Sequence, residues 1–180
     1  MLPVKVLTYA DYAALPDDGK RYEVLDGRLC VTPAPGRKHQ RVVLRLATLL
    51  DAHVTVNALG EVDIAPFDVV LGDRNVVQPD IIFVSTDQLP SFSSRGLEGP
   101  PTLAVEVLSP STTRADRNTK LEIYARHGVP YYWIVDPDAR AIDVHVRAGT
   151  AYRTPEHFAD RLVDLPPFPG LTLDPRVIWP

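Results

Sequence analysis

The stretch Thr102–Leu108, Thr-Leu-Ala-Val-Glu-Val-Leu, is the most informative part of the sequence, because it places one carboxylate inside an otherwise apolar run. Nearly continuous apolar runs of this length are typical of central strands that are covered on both faces. Burying an ionised carboxylate in such a strand is costly unless a cation or a metal compensates for it. Glu106 therefore predicts a functional site. The alternative, a register that turns Glu106 toward solvent at a sheet edge, is disfavoured by the apolar residues on both sides.

A second carboxylate, Asp80, follows Pro79 at the start of the predicted strand Ile81–Val84. Proline suits the beginning of a strand or a bulge, where a side chain points out of the ladder. Taken alone, Asp80 is better interpreted as a turn aspartate. Together with Glu106 it predicts two carboxylates near the ends of two central strands. Such an all-oxygen site suits Mg²⁺ or Mn²⁺ rather than zinc.

Lys120 lies 14 residues after Glu106, in the first half of a predicted helix. The window from Thr113 to Gly128 contains no proline, and Thr113 with Asp116 predicts a capping box at its start. A short connection would lay this helix back over the sheet and point the Lys120 ammonium at the two carboxylates. There it would stabilise charge on a phosphate or orient a water. A surface pair between Asp116 and Lys120 is an equally good interpretation.

The remaining elements predict an α/β sandwich around a mixed sheet. A second proline-free window, from Arg37 to His53, has apolar residues at helical spacing, and a short helix is expected from Thr8 to before Pro16. Asp26-Gly27 predicts a type I′ hairpin turn. The predicted strands are 21–25, 28–32, 62–71 (one bent strand or two, interrupted at Pro66), 81–84, 103–108, 131–135 and 141–146.

The domain organisation follows from length and composition. The chain has 180 residues and a normal globular balance of 45% hydrophobic and 23% charged residues, so we expect one domain over 1–180. Residues 166–180 form a Pro-rich apolar segment, expected to pack as an extended arm on this subunit or a neighbour; the alternative is a frayed terminus. Cys30 is the only cysteine, which excludes an intramolecular disulfide and a cysteine-built zinc site.

The net charge of −4 argues at first against a nucleic-acid partner, but the charges are unevenly distributed. Residues 21–60 carry a net +3 and residues 114–130 a net +2, whereas residues 61–90 carry a net −5. The basic residues are thus concentrated near the predicted helices, and the acidic residues are concentrated near the strands that would hold a metal. The start of the chain is too short and mixed for a signal peptide, and no run approaches the ~18 apolar residues of a membrane span. We therefore expect a soluble cytoplasmic protein with no membrane partner.

Three further residues are candidate accessory groups. His39, at the start of a basic helix, is a candidate base or phosphate ligand, although a surface histidine is the slightly preferred interpretation. Glu23, in the early hairpin, would supply a further acid or form a cross-strand pair with an arginine. Tyr124, one turn after Lys120, would place a phenol near the site, although a residue there more often simply packs.

Taken together and in their order along the chain, the motifs resemble a restriction-endonuclease-like family of the Uma2 type. This family is abundant in cyanobacteria and belongs to the PD-(D/E)xK nuclease superfamily. The resemblance extends from about Thr8 to about Val146 and is fairly specific as a set. The residues that carry it are Tyr22-Glu23, Asp26-Gly27, His39, Gln78-Pro79-Asp80, Glu106-Val107-Leu108-Ser109-Pro110-Ser111, Asp116-Arg117, Lys120, Tyr124 and Tyr132-Trp133-Ile134-Val135-Asp136-Pro137.

The resemblance implies a mixed sheet flanked by helices and a Mg²⁺- or Mn²⁺-dependent DNA endonuclease. Asp80 and Glu106 would be metal ligands, the backbone carbonyl of Val107 a third, and the metal would activate a water for attack on a phosphodiester. The superfamily's usual lysine is Leu108 here, so Lys120 is the natural replacement. A homodimer is also expected, with the apolar tail as a surface. The residues expected to contact DNA are Arg37, Lys38, Arg41, Arg114 and Arg117.

Two other functions are compatible with the sequence. The first is a catalytically silent nuclease-like domain that binds nucleic acid or a protein, against which the intact set of Asp80, Glu106 and Lys120 counts. The second is a hydrolase that uses two carboxylates without a metal, as glycosidases do. The second has little support, because no aromatic-rich sugar platform lies near either acid in the sequence, although Trp133 is close.

Overall fold

A computed structural model of the chain describes residues 5–159 and 162–180. Its strands belong mainly to two mixed sheets, which confirms the predicted α/β class. The strands are β1 (Arg21–Leu25), β2 (Arg28–Thr32), β3 (Gly60–Ile64), β4 (Val69–Gly72), β5 (Asn75–Val77), β6 (Ile81–Ser85), β7 (Phe92–Ser93), β8 (Gly96–Glu98), β9 (Leu103–Val107), β10 (Tyr131–Asp136), β11 (Ala141–Ala148), β12 (Ala151–Tyr152), β13 (Glu156–Phe158), β14 (Val163–Asp164) and β15 (Thr172–Leu173).

The first sheet has the strand order β2-β1-β5-β4-β8-β7, and the second has the order β12-β11-β10-β9-β6-β3, with β13 paired to β11. Asp26 and Gly27 join β1 to β2 with positive φ angles of 49° and 75°, as the predicted type I′ turn requires. The predicted segment 62–71 is two strands, β3 and β4, and they lie in different sheets.

Strand β9 is the central strand that its sequence predicts. It is buried along its whole length, runs parallel to β10 and pairs antiparallel with β6. On one face Val105 and Val107 join the core that packs under the long second helix. On the other face Ala104 and Leu108 join the core between the two sheets. Because side chains alternate along a strand, Glu106 lies on this second face, between the sheets.

Helices form in all three windows that the sequence predicts, and only the predicted start of the last one differs. Thr8 caps the first helix through the expected capping box with Asp11, and Gly128 ends the last helix in the left-handed conformation, with φ 91°. The helical elements are α1 (Tyr9–Ala13), α2 (Arg37–Val56), the 3₁₀ segment Thr86–Ser91, the π-helical turn Ala115–Lys120, α3 (Leu121–His127) and the 3₁₀ segment Pro175–Val177.

The predicted capping box of Thr113 and Asp116 is wrong. The Thr113 hydroxyl donates to the carbonyl of Ser109 at 2.7 Å, and Asp116 is fully buried in the π-helical turn. The wider π turn directs this carboxylate inward, toward Lys120, instead of back to the helix start.

The tail packs on its own chain. Phe168, Ile178 and Trp179 are buried in the core under α2, and the Trp133 indole donates to the carbonyl of Pro166 at 3.0 Å. The frayed-terminus alternative is therefore wrong. The tail is only partly extended, since it includes the pair β14–β15 and a 3₁₀ turn. The homodimer stays a prediction, and the buried part of the tail no longer argues for it.

His145 of β11 makes the stability of the protein sensitive to pH. The side chain is 6% exposed and stacks on Tyr132, with ring centroids 5.8 Å apart, and burial lowers its pKa below the ordinary 6.5. Below pH 6.5 the unfolded chain takes up a proton that the native state resists, so stability falls as pH drops through this value. We expect His145→Phe to flatten the loss of urea stability between about pH 7 and 5. Equal slopes for the variant and the native protein would contradict this expectation.

Over residues 5–159 and 162–180, the protein has no helix long and apolar enough to cross a membrane.

Candidate active site

The two predicted carboxylates lie side by side at the junction between the sheets. Ile81 pairs with Val105 in the antiparallel β6–β9 ladder, so Asp80, one residue earlier, stands next to Glu106. The backbone N–H of Val107 donates to Asp80 Oδ2 at 2.9 Å. Asp80 and Glu106 are 4% and 2% exposed, so both carboxylates are held in a buried position.

Asp80 is held as a carboxylate by two basic side chains. Arg21 Nη1 donates to Oδ1 at 3.1 Å, and His39 Nε2 lies 3.0 Å from Oδ2. Burial alone would raise the pKa of Asp80, but the hydrogen bond and charge of His39, followed by the charge of Arg21, lower it. Asp80 is therefore ionised at neutral pH.

Glu106 has the opposite environment. Its Oε1 accepts a hydrogen bond from Lys120 Nζ at 2.8 Å and another from the Tyr124 hydroxyl at 2.9 Å. Burial raises the pKa of Glu106 well above its usual range; Lys120 opposes this shift, and the nearby Asp116 carboxylate adds to it. Glu106 is thus the acid of the site that most readily keeps a proton until an additional cation compensates for its charge.

Lys120 lies at the centre of three carboxylates. Besides Glu106, its Nζ is 2.9 Å from Glu23 Oε1 and 3.7 Å from Asp116 Oδ1, and the side chain is 3% exposed. Burial opposes the charge on Lys120, but the three carboxylates outweigh it and raise its pKa. The surface-pair interpretation is therefore wrong: the Asp116–Lys120 pair exists, but it is buried inside the site.

The accessory residues also converge on the site. His39 is buried against Asp80, so the slightly preferred interpretation as a surface histidine is wrong. Glu23 pairs with Lys120 rather than with an arginine across the hairpin, and its Oε1 also accepts the backbone N–H of Gln78 at 2.7 Å. Tyr124 both packs in the core between the sheets and donates to Glu106.

Sequence reasoning missed two contributors. Arg21 begins an ordinary edge hairpin, and no local signal indicates that it reaches Asp80, 59 residues away. The sequence indicates Asp116 only as a helix-start residue or as a surface partner of Lys120, because a π turn has no simple sequence pattern. The general rule that a buried aspartate needs a cation applies to Asp80, but nothing in the sequence distinguishes Arg21 from the other basic residues as that cation.

The predicted basic residues occupy two exposed regions. Arg37 and Lys38 are exposed immediately before His39, and Arg41 is half-buried one turn later. Arg114 and Arg117 are exposed at the other helix. Two of these five residues are engaged in ion pairs: Lys38 with Asp138 at 2.5 Å, and Arg117 with Asp143 at 3.0 Å and with Asp136 at 3.3 Å.

A small cavity opens between these side chains, and we call it the central cavity. Its volume is about 20 Å³, which is room for one water molecule or a bare ion. In the part of the chain that the structure describes, no three His, Cys, Asp or Glu side chains form a ready metal cluster. The basic side chains Arg21 and Lys120 instead lie between the carboxylates and pair with them. The residues lining this cavity include Arg21, Glu23, His39, Asp80, Glu106 and Lys120.

This fold is also found in a solved structure. The crystal structure of a protein from Anabaena variabilis, described as a putative nuclease belonging to DUF820, is similar over 98% of both chains, with a TM-score of 0.82 and 21% sequence identity. At that level of identity the similarity shows the shared fold.

The sequence match defines the family. The model of the Uma2 family, described as "Putative restriction endonuclease", matches residues 9–176, and the chain belongs to this family. An uncharacterized protein of Synechocystis, slr1290, is 28% identical over 130 residues. That alignment covers 70% of this chain and 66% of the relative, just under two thirds of its length.

Proposed function

We propose that the protein is a Mg²⁺- or Mn²⁺-dependent endonuclease that hydrolyses DNA phosphodiester bonds. The observation that carries the proposal is the convergence of Asp80, Glu106 and Lys120 on one cavity between the sheets. Family membership supports the same reaction class. The exposed basic residues Arg37, Lys38, Arg114 and Arg117, together with the half-buried Arg41, are the proposed contacts to DNA phosphates.

The carboxylates fit a divalent metal. From the described residues, Glu106 Oε2 accepts no hydrogen bond, and Asp80 Oδ1 accepts only that of Arg21, so each carboxylate keeps an oxygen with an open lone pair. Mg²⁺ is commonly held by one or two carboxylates together with water and substrate phosphates. Asp80, Glu106 and the carbonyl of Val107 would hold the ion. When bound, it would supply water activation and neutralisation of charge.

The cations of the site have roles that follow from their fixed positions. Lys120 stays protonated, so it serves as an electrostatic stabiliser of the phosphate rather than as a base. Arg21 adds a second fixed positive charge beside Asp80. Tyr124 orients Glu106 by donating to the same oxygen as Lys120. The protein thereby holds its charges in place before substrate arrives, which avoids reorganisation during the reaction.

Metal dependence is the direct test. We expect supercoiled plasmid to be nicked in Mg²⁺ or Mn²⁺ and to remain intact in EDTA. Asp80→Ala is expected to abolish nicking, because it removes an ionised candidate ligand. The exposed Glu122, on the same helix as Tyr124, offers a matched control: Glu122→Ala should cleave like the native protein. Cleavage that persists in EDTA, or in Asp80→Ala, would defeat the proposal.

One observation favours a second function, that of a silent nucleic-acid- or protein-binding domain. Asp80 and Glu106 already have internal partners in Arg21, His39 and Lys120, so the fold can hold these carboxylates without a metal. This alternative predicts DNA binding with a steep salt dependence and no heat of Mg²⁺ binding in calorimetry. Mg²⁺ binding that is lost in Asp80→Ala would exclude it.

A further inference from the structure

A second, larger cavity adjoins the central cavity, and we call it the side cavity. Its volume is about 790 Å³, within the roughly 300–1,000 Å³ typical of sites that enclose a small organic group. The central cavity has room only for a water or an ion, so the organic part of a substrate must lie elsewhere. The two cavities share the wall residues Arg21, Thr32, Pro33, Pro35, His39 and Asp80.

The outer walls of the side cavity are mainly apolar. The apolar part is built from the segment 33–35 after β2, the segment 64–66 after β3, and Val31, and the polar side chains Asp17, Lys20 and Gln40 also line the cavity. Val31 and Ile64 are 51% and 50% exposed, an unusual level for β-branched apolar side chains that line a concave surface. Such surfaces hold the faces of unstacked nucleobases, which pack against apolar as well as aromatic side chains.

The inner wall carries buried polar atoms that lack partners. Within the described residues, Arg21 Nε, His39 Nδ1 and Gln78 Oε1 have no hydrogen-bond partner, and all three residues line the side cavity. Gln78 is 8% exposed, and its amide is oriented by Nε2, which donates to Asp68 Oδ1 at 2.8 Å. These three atoms are themselves covered, so they mark a polar inner wall rather than contacts to a bound molecule; Arg21, His39 and Asp80 of this wall also line the central cavity.

We propose that the side cavity holds an unpaired nucleotide next to the scissile phosphodiester, so that the preferred substrate is single-stranded or locally unpaired DNA. This inference rests on the proposed nuclease function and specifies its substrate class. The apolar walls suit the nucleobase. Arg21 and His39 line both cavities, so they lie where the phosphate of the nucleotide would reach the central cavity. A paired base cannot enter, because it would first have to leave the duplex stack.

Substrate preference tests the proposal directly. The full chain in Mg²⁺ is given a labelled single strand, its perfect duplex, and the same duplex with one unpaired nucleotide. We expect kcat/KM for the single strand to exceed that for the perfect duplex at least about tenfold, because a base must first be extruded from the duplex, with cleavage of the third substrate at the unpaired nucleotide. Equal or faster cleavage of the perfect duplex would overturn the proposal and leave the nuclease function standing.

Two tryptophan substitutions on one strand distinguish binding in the side cavity from binding to the neighbouring surface. Val31 and Leu29 lie on the same face of β2 and are both exposed, but only Val31 lines the side cavity. Val31→Trp should fill the cavity and weaken binding of a labelled single strand about tenfold. Leu29→Trp should bind like the native protein. Ile64→Trp, from the other wall, repeats the test if Val31→Trp does not fold.

Binding is measured by fluorescence anisotropy in EDTA, which makes the result independent of catalysis. A single strand with abasic nucleotides serves as a second probe, since it keeps the phosphates and loses the bases. Weaker binding of the abasic strand to the native protein, with no such difference for Val31→Trp, supports the side cavity even if no DNA is cleaved. Equal binding of both strands to the native protein overturns the proposal. Absence of cleavage with every substrate counts against the nuclease function alone.

Discussion

Glu106→Gln is expected to reduce DNA cleavage by at least about 10²–10³-fold, the cost of losing one group that stabilises the transition state. The substitution keeps the shape of the side chain and its carbonyl oxygen, so Lys120 and Tyr124 keep an acceptor. It removes the charge and replaces the open oxygen by an NH₂ group, and so removes the two properties that would hold a divalent ion. Initial rates on plasmid, with Glu122→Gln as the exposed control, measure the effect.

The same variant should not lose stability. Because the folded-state pKa of Glu106 lies well above its unfolded value of 4.5, the protonated form is favoured in the native state. The stability linked to this group is present below pH 4.5 and is lost as pH rises through the folded pKa. We therefore expect urea midpoints of Glu106→Gln to equal or exceed those of the native protein at neutral pH. A large loss of stability would show that the charge itself holds the sheets together.

Lys120→Met should have the opposite profile, with loss of both activity and stability. It leaves Glu23, Glu106 and Asp116 buried around an apolar side chain. Removing one partner of a buried ion pair costs about 3–5 kcal/mol, which corresponds to a fall in Tm of roughly 6–20 °C for a chain of this size. Calorimetry at neutral pH measures the shift.

The matched control for Lys120→Met is Lys38→Met. Lys38 pairs with Asp138 at the surface, where an ion pair contributes about 0–1 kcal/mol. The double variant Lys120→Met/Glu106→Gln should recover part of the lost stability, because the neutral amide removes the cost of burying Glu106 without its cation. A Tm for Lys120→Met close to that of the native protein would contradict the role of Lys120 as the common partner of three acids.

Most of the site could be predicted from local chemistry. Glu106 in an apolar strand and Asp80 after a proline are conspicuous because each breaks the pattern around it. The central position of β9 follows from its continuous apolar character. Lys120 required the additional step of laying a helix over the sheet, and the family resemblance supported that step.

The other contacts of the site join residues that are far apart in the sequence, and no local sequence pattern predicts them. Arg21 reaches Asp80 only because β5 pairs with β1 and the chain then crosses to the second sheet. The side chain of His39 is buried because α2 packs across that crossing, although the neighbouring Arg37 and Lys38 correctly indicate an exposed helix start. The short strands β7, β8 and β12 have no distinctive sequence pattern, since each has only two or three residues.

The passage Gln78–Asp80 has an evolutionary consequence. It carries the chain from β5 in the first sheet to β6 in the second within three residues. A one-residue insertion or deletion here would turn every side chain of β6 to the opposite face and move Asp80 away from the Val107 amide. We therefore expect insertions and deletions to be tolerated less well within Gln78–Asp80 than in the exposed loops, because this passage sets the position of Asp80 against the Val107 amide.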